Sequence, residues 1–186
     1  EWNGSAWVKV GEDIDGEASY DRSGYSLAMS ANGSRIAIGA IKNDGVNGTN
    51  SGHVKVYHWN GTSWTQVGSD IDGEATDDES GYSVAMSANG LRIAIGAIKN
   101  DGADENGNVL RNSGHVRVYD WNETSWTQVG EDIDGEDADD ESGYSVTMSA
   151  DGSRIAIGAV LNDSKDENGN IVLIPGTGTT VTSSQN

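Results

Sequence analysis

The sequence predicts an all-β chain of β-propeller-type, four-stranded antiparallel blades in tandem repeat, forming an incomplete propeller or a repeat array. Three observations predict it. The stretch at residues 23–41 is written again at 80–98 and at 142–160. A second stretch, at 53–68, recurs at 115–130. The short apolar runs inside these stretches alternate, are separated by Asn-Gly or Asp-Gly pairs, and show no helical period.

Each repeat holds four runs, A to D. Run A, 25–30, sets Tyr25, Leu27 and Met29 on one face and Ser26, Ala28 and Ser30 on the other, a period of two that belongs to a strand. Run B, 35–41, is apolar on both faces, as suits a sheet covered on both sides. Run C, 53–59, is rich in β-branched and aromatic residues, and run D covers 64–68 and extends toward Ile71. Asn32-Gly33, Asn89-Gly90 and Asp151-Gly152 join A to B and predict tight hairpins. At the C–D turn, Asn3-Gly4 and Asn60-Gly61 become Asn122-Glu123. A Glu is strained at positive φ, so the expectation there is a four-residue loop. The second repeat is lengthened between Ile98 and His115, which marks a surface loop. Four consecutive antiparallel strands make one propeller blade.

Ser23-Gly24-Tyr25-Ser26, followed by Gly39-Ala40-Ile41 and by Gly52-His53-Val54-Lys55-Val56-Tyr57, resembles the FG-GAP repeat of integrin α-subunit propellers and secreted microbial proteins. Ser-Gly stands for Phe-Gly in all three copies, and Gly-Ala-Ile or Gly-Ala-Val stands for Gly-Ala-Pro. The resemblance spans nearly the whole chain up to about residue 163 and implies a propeller fold. Calcium-binding members of that family carry an Asp-rich nonapeptide between the two motif strands. Residues 30–35 are too short for one, so the resemblance brings no calcium site with it.

The blades are expected at about 24–71 and 81–133, with a split blade made from 143–160 plus 1–14. Residues 1–163 form the repeat region, and 164–186 a divergent C-terminal segment or linker. That tail either supplies a divergent run C, or links, or pairs with a neighbouring chain. Three blades do not close a ring, since propellers close with four to eight. The chain therefore reads as part of a longer propeller or as a unit that assembles with copies of itself, and its initial Glu suits a processed product or a piece of something longer.

Composition narrows the function. The net charge is −19, which argues against nucleic acid and anionic membranes as partners. There is no cysteine, so neither disulfides nor thiolate metal sites are available. No stretch reads as a membrane span or signal peptide.

In an A–B–C–D meander, the B–C loops and D–A linkers share one face, and they carry most of the 30 acidic residues. Asp104, Asn106 and Asn108, and again Asp166, Asn168 and Asn170, place oxygens at alternate positions, as a hard cation such as Ca²⁺ requires. Asp72 and Glu74 with Asp78 form a second candidate set. The same residues equally read as a solvated acidic face that maintains solubility. The glycosylation sequons begin at Asn3, Asn32, Asn47, Asn60, Asn122 and Asn162, all in expected loops. The pairs Trp59/Trp64 and Trp121/Trp126 suit either stacking on sugar rings or packing across the C–D hairpin.

His53 and His115 fall at equivalent positions, which favours a structural role. No nucleophile–base set is unique to one repeat, and no carboxylate pair stands out as an acid/base couple. The reading is a non-catalytic, extracellular adhesion or structural repeat protein. Its partners would be copies of itself, other blades, glycans or cell-surface proteins. The alternatives are a lectin-like carbohydrate-binding module and an inert propeller domain attached to an enzyme.

Overall fold

The computed structural model describes residues 1–162 and, beyond them, three short strands at Ser164–Lys165, Ile171–Val172 and Thr179–Ser184. Among these residues there are strands and turns but no helix. The first blade runs β1 (Ser23–Met29), β2 (Arg35–Ala40), β3 (His53–Trp59), β4 (Trp64–Gln66) and β5 (Ile71–Asp72). The second runs β6 (Ser83–Met86), β7 (Arg92–Ala97), a small hairpin of β8 (Gly102–Ala103) and β9 (Val109–Leu110), then β10 (His115–Trp121), β11 (Trp126–Gln128) and β12 (Ile133–Asp134). The third begins with β13 (Ser142–Met148) and β14 (Arg154–Ala159). The strands at 164–165, 171–172 and 179–184 are β15, β16 and β17.

Strand order follows chain order within each blade, and every pair is antiparallel: β1-β2-β3-β4 in the first, β6-β7-β10-β11 in the second. Run D is not one strand. It splits into β4 and β5, or β11 and β12, both on the run C strand. The break falls at Gly68 and Gly130, whose φ angles are 75° and 77°. The lengthened loop of the second repeat folds as the β8–β9 hairpin, and β15–β16 repeats it in the third.

Two turn expectations are corrected. The A–B connections are four-residue loops in which only the glycine takes positive φ: Gly33 at 70°, Gly90 at 72° and Gly152 at 74°. The preceding Asn or Asp instead accepts from the backbone, as Asn32 Oδ1 does from Ser34 N at 3.0 Å. The C–D turn is a four-residue loop as expected, closed by Trp121 opposite Trp126. Glu123 nevertheless adopts φ 76° there, because Asn122 Oδ1 holds Thr124 N and Ser125 N at 3.0 and 2.9 Å. A left-handed conformation costs a non-glycine residue about 1–2 kcal/mol. Glu123→Gly, which restores the residue of the other copies, should raise the free energy of unfolding by about 1 kcal/mol in urea titration. An unchanged midpoint would mean that Glu123 is unstrained.

The third blade takes its run C from the tail, one of the roles the sequence left open. The free edge of β14 is taken by β17, with Arg154 opposite Ser184 and Ala159 opposite Thr179. The tail does so through its Thr-rich run, Thr179–Ser184. Among the described residues, none of 1–14 pairs with this blade. They lie against the first blade, where Val10 O accepts from Trp64 Nε1 at 3.2 Å.

The core lies between blades. Ala37, Val54 and Val56 of the first meet Val84, Ile93 and Ile95 of the second. Ala94 and Val116 of the second meet Ile155 and Ile157 of the third. Run B is apolar on both faces for this reason: in β7, Ile93 and Ile95 face one neighbour and Ala94 the other. Blades approach closely at glycine, and Ser26 and Ser83 Oγ donate across to Gly81 O and Gly143 O, each at 2.6 Å. Tyr25, Tyr82 and Tyr144 form a ladder along the first strands, with ring centroids 5.0 and 5.1 Å apart.

Candidate functional site

The D–A linkers and B–C loops do share a face. Asp77 N, Glu79 N and Ser80 N of one linker donate to Thr49 O, Asn50 O and Ser51 O of the loop beside it. The linker turns are left-handed at Asp77 and Glu79, and at Asp139 and Glu141 in the next copy. The acidic residues of this face are distributed among separate bonded groups.

Two of these groups are the same constellation written twice. In the first blade, Glu17, His53 and Asp70 bring ligand atoms within 4.8 Å of one another. In the second, Glu74, His115 and Asp132 do so. The histidines open the run C strands and are almost completely buried. The aspartates sit in the bend between the two halves of run D, and the glutamates arrive on the linker. A basic residue two positions after each histidine projects from the same strand face. Lys55 meets Glu17 and lies 3.6 Å from Asp70. Arg117 meets Glu74 and grips Asp132 with Nε and Nη2, both at 2.8 Å.

The electrostatics follow from burial and from that cation. Burial pushes the Asp132 carboxyl up, but hydrogen bonds from Arg117 and Gln128 outweigh it and leave its pKa lowered. Burial depresses Arg117, and its carboxylate partners more than reverse this. His115 is pushed down to about 4 by burial and then by Arg117, against the pull of Asp132. Its Nδ1 has no hydrogen-bond partner and lies 3.8 Å from both Glu74 Oε2 and Asp132 Oδ2. His53 is also lowered, first by burial, with Asp70 opposing.

This has a consequence for acid stability. A histidine whose folded pKa lies below its unfolded value of 6.5 is neutral in the fold, and the unfolded chain takes up the proton first. Its contribution is fully present above pH 6.5 and is lost as pH falls toward 4. His115 alone should remove about 3 kcal/mol over that window, at 1.36 kcal/mol per pKa unit. Urea titrations from pH 7 to 4 should show this slope, and His115→Gln should flatten it. An equal slope in both proteins would place the titrating group elsewhere.

The expected calcium ligands do not converge. Asp104 accepts from Asn106 N and Asn108 N through Oδ1, at 2.9 and 2.8 Å, and from Asn108 Nδ2 through Oδ2 at 2.8 Å. These bonds tie the tip of the β8–β9 hairpin and turn the Asn108 amide nitrogen, not its oxygen, inward. The set does not fit a calcium cage. Asp166, Asn168 and Asn170 lie outside the described residues. Asp72, Glu74 and Asp78 go to three environments: Asp72 to β5, Glu74 to Arg117, and Asp78 to a buried site where it accepts from Ala75 N and Asn100 Nδ2. The His-centred groups have suitable donors for a transition metal, but Arg117 and Lys55 already stand between the carboxylates.

The sequons divide. Asn60 and Asn122 are exposed in C–D turns, and their side-chain nitrogens make only long bonds to Ser63 and Ser125, each at 3.2 Å. Asn3 and Asn32 are exposed as well. Asn47 Nδ2 instead donates to Gly73 O at 2.7 Å, and Asn162 Nδ2 to Asp140 Oδ2 at 3.0 Å, so a glycan would break a joint at either place.

The tryptophans form blade joints. Trp59 and Trp64 pack with centroids 5.4 Å apart, and so do Trp121 and Trp126. Trp126 Nε1 donates to Val67 O of the preceding blade at 2.9 Å, as Trp64 does to Val10 O. Gly11 and Gly68 lie directly beneath: a Cβ on them would come within 2.6 Å of Trp59 and 2.7 Å of Trp121. These rings are half-buried, with their edges committed to the neighbour. Position alone gave the pairing. The role of Val-Gly as a seat was visible only as an unexplained recurrence three residues after each second tryptophan.

Residues 14–57 match the FG-GAP repeat. No curated protein sequence matches the chain. Among solved structures, the chain is similar to the hydrazine synthase of Kuenenia stuttgartiensis, at 12% identity over 86% of this chain and 34% of that one, with a TM-score of 0.47. It is also similar to a Bacteroides uniformis protein assigned as a 6-phosphogluconolactonase, at 10% identity over 88% of this chain and 57% of that one, with a TM-score of 0.35. The matched segment runs from the acidic linker through the strands β1, β2 and β3, and the second copy folds the same way. Residues 14–57 are thus an FG-GAP repeat.

Proposed function

We propose that the chain is a non-catalytic, extracellular repeat module that serves adhesion or the building of a surface structure. The observation that carries this reading is the repetition of the His–carboxylate group with its own cation in place. An active centre ordinarily breaks repeat symmetry and leaves a reactive group poised for substrate. Here the glutamates and aspartates are neutralised from within, and the same arrangement serves both blades. The exposed sequons at Asn60 and Asn122 and the strongly acidic loop face suit a secreted protein in a salt-rich medium. The lectin alternative is weakened by the commitment of Trp59, Trp64, Trp121 and Trp126 to blade joints.

The test is display of the chain on an otherwise non-adherent cell. Clustering of these cells, or their retention on a surface coated with the same chain, is the expected result. Dispersed cells under both conditions would overturn the reading. Turnover of ester, glycoside or phosphate substrates by the purified chain would overturn its non-catalytic part.

A further inference from the structure

The chain contains six tryptophans in three pairs and three Val-Gly seats, offset by one blade. Trp59/Trp64 closes over Val10-Gly11, and Trp121/Trp126 over Val67-Gly68. One pair, Trp2/Trp7, and one seat, Val129-Gly130, are left over. The spare pair is already folded as its counterparts are. Trp2 bridges Trp7, Asn3 N donates to Ala6 O at 3.1 Å, and Gly4 has the same φ of 98° as Gly61. Its rings are open, Trp2 53% and Trp7 80% exposed. The spare seat has the required backbone, with Gly130 at φ 77° beside 75° at Gly68. No indole among the described residues covers it.

The blade faces show the same offset. Leu27 and Met29 of the first blade are 59% and 56% exposed. Their counterparts Val84 and Met86 pack on the blade before them. Among the described residues, no blade covers the Leu27 and Met29 face of the first one, and none lies beyond the third.

We propose that these two ends join between copies of this chain: the Trp2/Trp7 hairpin of one copy seats on Val129-Gly130 of a second, whose third blade covers Leu27 and Met29. The register agrees. Ser184 stands opposite Arg154 as His58 stands opposite Arg35, so the hairpin of the incoming copy begins where the run C strand β17 reaches its last pair. Residues 7–14 then supply run D to a blade whose runs A to C belong to another copy. Each copy contributes three blades in this arrangement. Six is the one multiple of three between four and eight, so two copies close the ring. The interface is heterologous and is used twice. The proposal rests on the adhesion or assembly reading above and gives it a specific joint.

The experiment is sedimentation velocity on the 186-residue chain from about 1 to 100 μM, a span suited to interfaces of this class. The expected species is a dimer at twice the chain mass of 19.5 kDa. Trp7→Ala, on an exposed ring, should weaken it about 30-fold or more, the scale of a tryptophan hot spot. Gly130→Asn keeps a residue tolerant of positive φ but puts a Cβ under the incoming ring, and should do the same. The decisive sample mixes the two variants. Each alone is monomeric, while the mixture regains one intact joint and associates, which a symmetric patch or unspecific stickiness does not reproduce. A wild-type monomer at every concentration, or variants that dimerise like wild type, would overturn the proposal and leave the spare ends to other blades of a longer chain. Cell clustering by a monomeric chain would sink this joint while leaving the adhesion reading intact.

Discussion

Gly96→Val is expected to leave the chain largely unfolded at 25 °C, with a loss of about 4 kcal/mol or more. The reason is the closeness of the second and third blades. A Cβ at Gly96 overlaps the carbonyl oxygen of Gly143 and lies 2.6 Å from Ser83 Oγ and 3.0 Å from Gly143 C. Two of those atoms are backbone and cannot turn aside. Making room means moving β13 off β7, which breaks the 2.6 Å bond from Ser83 Oγ to Gly143 O and opens the core around Ala94, Ile155 and Ile157. Domains of this size hold only about 5–15 kcal/mol in total. Gly39→Val should act alike against Gly81. Gly107→Asn is the control: nothing lies within 4 Å, Asn accepts its φ of 79°, and the change should stay within about 0.5 kcal/mol. Urea titration followed by tryptophan fluorescence reads all three. A Gly96→Val protein with the wild-type midpoint would mean that the blades do not meet there.

Much of this fold could be read from the residues because the repeat is short and its chemistry is local. Alternation marked run A, apolarity on both faces marked run B as interior, and Asn-Gly marked the turn between them. What escaped depends on neighbours. The split of run D at Gly68 arises because the next blade's Trp121 lies over that glycine, a contact 53 residues away in sequence that no period records. Of the left-handed residues Asp77 and Glu79, Asp tolerates that region by propensity and Glu does not, and no local signal marks the pair. They are held there by backbone bonds to Thr49 and Asn50. At Asp104, spacing gives the positions of oxygens but not which atom of Asn108 turns inward, and here it is the amide nitrogen. The His-centred groups were half legible. The recurrence of His53 and His115 was plain, and so was Asp-x-Asp-Gly-Glu. The piece of information missing was that a glutamate from one linker and an aspartate from the following one close on the same histidine.

Arg117→Met is expected to cost about 2 kcal/mol at pH 7.5, because it removes the buried cation of a partly exposed ion group and leaves Glu74, open to solvent, and Asp132 facing each other without their shared partner. Two further effects separate this from simple loss of packing. Burial, no longer opposed by the guanidinium, should raise the Asp132 carboxyl. His115, freed from the neighbouring cation, should bind a proton more readily and partly replace it. The pH dependence then weakens. With Arg117 gone, the folded pKa of His115 rises toward 6.5 while burial still holds it down, so less stability is lost between pH 6.5 and 4 and the gap between variant and wild type narrows as pH falls. The second effect concerns metal. Glu74, His115 and Asp132 offer one nitrogen and two carboxylates within 4.8 Å of one another, a set suited to Zn²⁺ once the cation between them is gone. Zn²⁺ should therefore raise the urea midpoint of Arg117→Met, and a chelator should reverse it, while wild type responds to neither. Equal stabilisation of both proteins would show that Arg117 does not occupy the place of a metal. A variant as stable as wild type and indifferent to pH and Zn²⁺ would show that the two carboxylates are solvated independently, and the repeated group would lose its claim to hold the linkers to the blades.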